Sequence, residues 1–388
     1  MNVDYWSIGA TTRTAWPVTN LELATDIALD WMPTRPACTA PAVVDLLDEI
    51  LEQDTPNNCW LANPAVAGFE RQWRGVTSFM IGVPFCIKVI RQLGYTWWAP
   101  VGCFRHNLHT NKPFYWWSPA FPISRCEVRH DSVNPSRLYP DYIAAKRDPA
   151  GNYRIAYFEA KGTVNALQNC VLCPTHWHQQ VRSAQLYNNG VYVPASQNVV
   201  VATRLRPDAV YPSTRRIQVR AWNNNDPELL APFDLVSEVV RVHYVGVCLR
   251  LGLERTAQAL AMAPAFHGDG LEARRWRTAL GKRMPQLEDS SNVSREETEE
   301  RPVTNSQYPT VHFARGRENL GCGPYAIRAG LSFMASYLVD SLINGQTETV
   351  RTIMHDLPGK LRGFQKEIAE DERRYLRSDG VYSELVGE

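Results

Sequence analysis

An excess of charge of one sign is missing from this sequence. Its 388 residues carry 41 Lys and Arg against 40 Asp and Glu, a formal net charge of +1. At face value that argues against a dedicated nucleic-acid or membrane-surface binder. Long apolar runs are missing too. The most apolar stretch, Val76–Ile90, contains Pro84 and Lys88 and is too short to span a bilayer. Met1 to Pro17 has neither a basic segment nor a continuous apolar core, so no secretory signal is expected. The nine cysteines (Cys38, Cys59, Cys86, Cys103, Cys126, Cys170, Cys173, Cys248 and Cys322) are odd in number and widely spread. That excludes a compact disulfide framework and predicts reduced thiols in a cytoplasmic protein with no membrane partner. There are no internal repeats.

What is present is a globular composition, 44% hydrophobic and 21% charged. The length suits two or three domains. The neutral total also hides an asymmetry. Residues 1–100 sum to −4, residues 101–225 to +9 and residues 226–388 to −4.

Residues 19–53 read as helical, with Leu21, Ile27, Leu29, Val43, Val44, Leu47, Ile50 and Leu51 at helical spacing. Pro64–Leu93 reads as a second helical stretch. Tyr95–Pro122 is strongly aromatic (Trp97, Trp98, Phe104, Phe114, Tyr115, Trp116, Trp117, Phe121), fit either for a core or for stacking on bases. From Leu138 the pattern turns to strands. Leu138–Lys146 and Tyr153–Ala160 flank the turn cluster Asp148-Pro149-Ala150-Gly151-Asn152, which predicts a β-hairpin. A helix is expected over 175–189, with Thr175 as N-cap and Asn188-Asn189-Gly190 as its stop. Strands follow over Asn198–Leu205 and Arg216–Trp222, then helices over Leu235–Leu253, Pro324–Ile343 and, as two shorter pieces, Leu357–Leu376.

The expected fold class is therefore α/β, a central mixed β-sheet flanked by helices. The expected divisions are a mainly helical region 1–100, a core 101–225, a helical extension 226–285, a solvated charged linker 286–307 and a helical region 308–388. The flanks are candidates for homo-oligomer or partner-protein contacts.

The hairpin carries the chemistry. Glu159 and Lys161 are two apart on one strand and share a face. Asp141, near the start of the neighbouring strand, can project to the same place. The second strand is otherwise apolar (Ile155, Ala156, Tyr157, Phe158), so these charges sit at the rim of something buried. Two carboxylates converging on one point repel unless a cation joins them. Mg²⁺ takes oxygen ligands and leaves positions for phosphate oxygens. A neighbouring lysine can then orient a water and stabilise charge growing at phosphorus. Those are the ingredients of phosphodiester hydrolysis.

Pro140-Asp141 followed across the turn by Glu159-Ala160-Lys161 resembles the PD-(D/E)XK nuclease superfamily, whose fold is restriction-endonuclease-like. The hairpin–helix–strand pattern from Leu138 to about Leu205 is similar to the centre of that fold. The resemblance implies that Asp141, Glu159 and the Ala160 carbonyl hold Mg²⁺ or Mn²⁺. It implies that Lys161 acts near the attacking water and that Gln180, on a helix that also bears Gln179 and Gln185, is functional. It also implies a nucleic-acid substrate, DNA first, met by basic residues of the central segment, Arg137, Lys146, Arg154, Arg182, Arg204 and Arg206. The further acidic residue that the family often carries upstream has no clear counterpart: Glu70 is distant, and Glu127 falls on strand or loop. A member of that fold that only binds or scaffolds is the alternative.

Two other motifs compete. Cys170 and Cys173 with His176 and His178 offer two Cys and two His within nine residues, either a Zn²⁺ site or reduced cysteines before a helix. Gly321-Cys322-Gly323-Pro324 opens an expected helix and looks like the nucleophile motif of some cysteine peptidases. With only His312 nearby, a Gly/Pro-punctuated helix start explains it as well. A second Pro-Asp, Pro207-Asp208, reads as a turn.

Overall fold

Strand formation in the middle of the chain follows from alternation. Ala156, Phe158 and Ala160 point to one face and Ile155 and Tyr157 to the other, and all are buried. A strand buried on both faces must lie inside a sheet with a layer on each side, and that is where it is found. The computed structural model describes residues 1–31, 47–69, 71–104, 126–130, 139–188, 191–194, 197–223, 230–263, 296–303, 310–315, 326–368, 371 and 373–386.

The first part of the chain forms β1 (Asn2–Trp6), β2 (Thr14–Pro17), α1 (Asn20–Asp26), β3 (Leu51–Asp54), β4 (Cys59–Ala62), α2 (Arg71–Gln92) and β5 (Trp97–Pro100). The middle forms β6 (Cys126–His130), β7 (Tyr142–Arg147), β8 (Tyr153–Thr163), α3 (Thr175–Arg182), β9 (Ala184–Asn188), β10 (Val191–Val193), β11 (Gln197–Arg204) and β12 (Gln218–Asn223). After these come α4 (Phe233–Leu251), α5 (Glu254–Met262), β13 (Thr298–Pro302), β14 (Thr310–Ala314), β15 (Ala326–Ser332), α6 (Phe333–Ile343), α7 (Thr347–Ile368), β16 (Arg374–Leu376) and β17 (Val381–Val386).

The large sheet is mixed and runs β3-β4-β1-β12-β11-β8-β7-β5, with β2 added beside β1. Strands β5, β7 and β8 are successively antiparallel, and β8 pairs parallel with β11. Helix α2 packs on the Phe158 face and α4 belongs to the core on the Tyr157 face. The coarse α/β expectation therefore holds; in the order hairpin, helix, strand, strand, the added strands β9 and β10 come between the helix and the two expected strands. The expected turn is present: the Asp148 carboxylate accepts the Asn152 amide at 2.8 Å, and Gly151 adopts φ +93°. No helix among the described residues is long and apolar enough to cross a membrane.

Several local expectations are corrected. Residues 1–100 hold strands as well as helices: β1 pairs parallel with β12 and also with β4, so this region extends the central sheet. Within the expected helix 19–53, α1 runs into a π-helical Ile27–Trp31, and Leu51–Asp54 is a strand. The helix beginning at Thr175 stops at Arg182, and Pro174, without a side-chain bond, is its N-cap. Beyond it, burial of Ala184, Leu186 and Asn188 alternates, the period of a strand.

The C-terminal part also differs. It holds a five-stranded sheet, β13-β14-β15-β17-β16. Residues 298–302 of the expected linker are one of its strands, while 286–295 and 304–307 lie outside the described residues. Within the expected helix Pro324–Ile343, Ala326–Ser332 is a strand, the Ser332 hydroxyl caps the helix that follows, and 324–325 lie outside the described residues. The two expected short helices are one, α7, with Pro358 inside it. Seven residues from Val350 to Ile368 bury its inner stripe. At about 1.5–3 kcal/mol each, they outweigh the roughly 3 kcal/mol that an interior proline costs. Of the aromatic run, Trp97, Trp98 and Phe104 are buried in the core, and Phe114, Tyr115, Trp116, Trp117 and Phe121 lie outside the described residues.

Helix α2 approaches β8 closely at Gly162. A Cβ there would stand 2.0 Å from Ser78 Oγ and 2.9 Å from its Cβ. Gly162→Ala must therefore push the helix off the sheet. We expect a loss of about 1–3 kcal/mol in urea unfolding, with the midpoint moved and the slope kept.

Candidate active site at the open end of the hairpin

The β7–β8 ladder ends at the Tyr142–Phe158 pair. Continuing the register would set Asp141 opposite Glu159 and Pro140 opposite Ala160. Proline has no N–H to give, so the ladder cannot continue there. Instead the Ala160 amide donates to Asp141 Oδ2 at 2.8 Å, and the Asp141 carbonyl accepts from the Val101 amide at 2.9 Å. The proline opens the strands, and the aspartate fills the opening. In a paired strand the N–H and C=O of one residue point to the same edge. The Ala160 carbonyl therefore shares the edge on which Asp141 sits.

Glu159 is only 2% exposed. Its Oε1 lies 2.5 Å from Lys161 Nζ, while its Oε2 is buried and has no hydrogen-bond partner among the described residues. Burial, and then the neighbouring Asp141 charge, push its carboxyl up to about 8 against the pull of Lys161. Burial likewise raises Asp141, opposed by the Ala160 amide and Lys161. Lys161 also donates to Gln180 Oε1 at 2.7 Å, and Gln180 Nε2 donates to the Tyr139 carbonyl at 2.7 Å. Gln180 is buried on α3 and ties the lysine to the backbone just ahead of Pro140-Asp141. Asp141, Glu159, Ala160, Lys161 and Gln180 are thus brought together.

The donor set suits a hard divalent cation. It offers two carboxylates, one of them with an orphaned buried oxygen, beside a backbone carbonyl edge. Mg²⁺ is held by one or two carboxylates and completes its shell with water and phosphate oxygens. Among the described residues no group of three or more His, Cys, Asp and Glu could hold a metal ion. The helix over the other face contributes Ser78 and Cys86, with no acidic residue between Arg71 and Gln92. Burial raises the Cys86 thiol, and Asp141 and Glu159 raise it further. Glu70 and the Glu127 side chain lie outside the described residues.

The basic residues divide. Arg204 pairs with Thr163 at the site's end of β11, but its side chain is buried. Its Nε donates to the Val164 carbonyl at 3.4 Å, and burial lowers its guanidinium from the usual range. Arg206, just beyond, is exposed and lies 3.6 Å from Asp208 in the second Pro-Asp, which is a turn as expected. Arg182 is exposed at the end of α3. Lys146 and Arg154 pair with each other at the opposite end of the hairpin, about 17 Å from Asp141 and Glu159 at strand rise. Arg154 is held there by Asp148 at 3.0 Å. Arg137 lies outside the described residues.

Cys170 Sγ donates to the Ala166 carbonyl at 3.4 Å and Cys173 Sγ to the Pro174 carbonyl at 3.7 Å. Burial pushes the Cys173 thiol up to about 12, which favours the thiol over a ligating thiolate. His176 stands edge-on to Trp177, and His178 lies on the same turn of α3. Cys322 lies outside the described residues, and the His312 ring packs against Phe333.

Sequence reasoning missed what lies behind the site. A buried network of Asp26, Asp30, Arg91, His243, Arg377 and Asp379 joins both ends of the chain to the sheet. Charged residues without periodicity gave no signal for it.

Without divalent cation, the raised Glu159 carboxyl makes the folded state bind a proton that the unfolded chain releases near pH 4.5. The stability that Glu159 contributes therefore falls as pH rises from about 4.5 to about 8, alongside a like contribution from the raised Asp26 carboxyl. Glu159→Gln should remove that share and so flatten the slope, and raise stability above pH 8 by about 1–3 kcal/mol in EDTA. Thermal melts of both proteins across pH 5–9 (the range is about that over which the group titrates) check this.

No protein-family model, curated protein or solved structure matches the chain.

Proposed function

We propose that the protein is a metal-dependent nuclease of the PD-(D/E)XK kind, acting on DNA. One observation carries the reading: the orphaned, buried Glu159 Oε2 beside Asp141, with Lys161 on the same face. A carboxylate oxygen buried without a partner is costly unless a proton or a cation meets it. The order β7, β8, α3, β11, with β8 parallel to β11, also supports the reading.

In this reading Asp141, Glu159 and the Ala160 carbonyl hold Mg²⁺ or Mn²⁺. The bound ion supplies Lewis-acid polarisation of the phosphoryl group and lowers the pKa of water. Lys161 gives a proton-bearing cation at the position where negative charge grows, on the face that Glu159 shares. Gln180 fixes the Lys161 ammonium through its Oε1 and so keeps the lysine from swinging away. Asp141 is oriented by its bond to Ala160 N–H, which leaves its second oxygen for the ion. Arg206 and Arg182 are the exposed cations suited to meet the phosphate backbone.

Incubating plasmid and linear DNA, and RNA, with the protein in Mg²⁺, Mn²⁺ or EDTA tests the reading. Metal-dependent cleavage is expected, and absence of cleavage of every substrate in both metals would overturn it.

A further inference from the structure

A second cleft of about 970 Å³ lies at the opposite end of the β7–β8 hairpin. One wall is the end of α2 with the hairpin residues Lys146 to Pro149, and the other is α7 with Ser378. Glu159 is five residues along β8 from Arg154 at this end, so the cleft is no extension of the site described above.

Its charge is one-sided. Lys146, Arg147, Lys360 and Arg362 line it. The two carboxylates in its lining are already engaged: Asp148 by Arg154 at 3.0 Å and Asp356 by His355 at 2.6 Å. Lys146 Nζ sits 4.5 Å over the Tyr95 ring and donates to the Leu93 carbonyl at 3.3 Å. Arg147 Nε donates to the Gly151 carbonyl at 3.1 Å, a neutral acceptor that orients the guanidinium without cancelling its charge. Lys360 reaches Asp356 only at 3.7 Å and is more than half exposed. Ser378 Oγ, in the same lining, is buried and has no hydrogen-bond partner among the described residues.

We infer that this cleft binds a phosphorylated small molecule. Cations from two facing elements, with an arginine on each wall, suit the several oxygens of a phosphate chain. The volume is that of a small-molecule site. A specific duplex contact would need about 1,000 Å² or more of protein surface. The inference is independent of the nuclease reading.

Pyrophosphate and ATP are the probes, added to the full chain in EDTA, with sodium sulfate at matched ionic strength as the control. At about tenfold over the dissociation constant, one of the probes should raise the melting temperature by about 2 °C. Sulfate should not. The exposed pair Lys360→Glu and Arg362→Glu should abolish the response, and the milder Arg362→Gln should weaken it several-fold. Lys161→Ala should keep it. No shift with either probe, an equal shift with sulfate, a shift that survives both charge reversals, or a shift lost in Lys161→Ala would each overturn the inference.

Discussion

Lys161→Ala should lower metal-dependent DNA cleavage by about 10²–10³-fold, the loss typical of removing one preorganised donor aimed at developing charge. The protein should stay folded, because Lys161 is partly exposed at the rim of the site. Its removal does leave Glu159 without its cation, so the variant should be compared at saturating Mg²⁺. Asp141→Asn should cost at least as much, and more Mg²⁺ should recover part of it. Gln180→Ala should lose about tenfold, since it acts only through the lysine it holds. Cys322→Ala should cleave like the wild type. That arm separates the nuclease from a cysteine peptidase, whose activity would disappear with Cys322 and persist without Lys161. Cleavage unchanged in Lys161→Ala would place the chemistry elsewhere.

The hairpin was legible because three independent signals agree over few residues. Turn chemistry at Asp148 to Asn152, alternation in Tyr153 to Ala160 and the two-residue spacing of Glu159 and Lys161 all require the same geometry. Long-range partners were less legible. Nothing in Asn2–Trp6 says that it will pair with Gln218–Asn223, because a short strand carries no address for its neighbour. The division of Pro324–Ile343 into strand and helix was hidden for another reason. Both halves are apolar, and short apolar runs do not separate the two periods. The β7–β8 register, by contrast, follows from the turn. It also explains the motif itself: Pro140 has no N–H to give the Ala160 carbonyl and ends the ladder, and the Asp141 carboxylate takes the Ala160 amide. The charge count by segments was right about a basic centre and silent about its use. Lys146 and Arg154 share that segment with Asp141 and Glu159, yet stand at the other end of the same hairpin.

Arg377→Ala should be the most destabilising single change described here, about 3–5 kcal/mol, because it strips the cation from a buried cluster of carboxylates. Arg377 is fully buried. It lies 2.6 Å from Asp379, 3.0 Å from Asp30 and 3.6 Å from Asp26, with its guanidinium 4.5 Å over the Trp98 ring. Arg91 holds Asp26 with both nitrogens, at 3.1 and 2.9 Å, and also reaches Glu22 and Tyr375. His243 spans the Trp98 carbonyl and Asp379 at 2.6 and 2.8 Å. The cluster thus fastens α1, α2, β5 and α4 to the turn between β16 and β17. Burial alone would raise the Asp379 carboxyl, but Arg377 and His243 outweigh it and hold the group well below the usual carboxylate range. A depressed folded value means that this contribution is present above about pH 4 and is lost as the pH falls further. Arg377→Ala should therefore show a melting temperature far below the wild type at neutral pH and a smaller difference in acid. Adding Asp379→Asn to it should recover part of the loss, since one uncompensated charge goes with it. Arg377→Lys should recover less than its charge suggests, because a point cation cannot address Asp30 and Asp379 at once. Equal stability of wild type and Arg377→Ala in urea would mean that the cluster contributes nothing net.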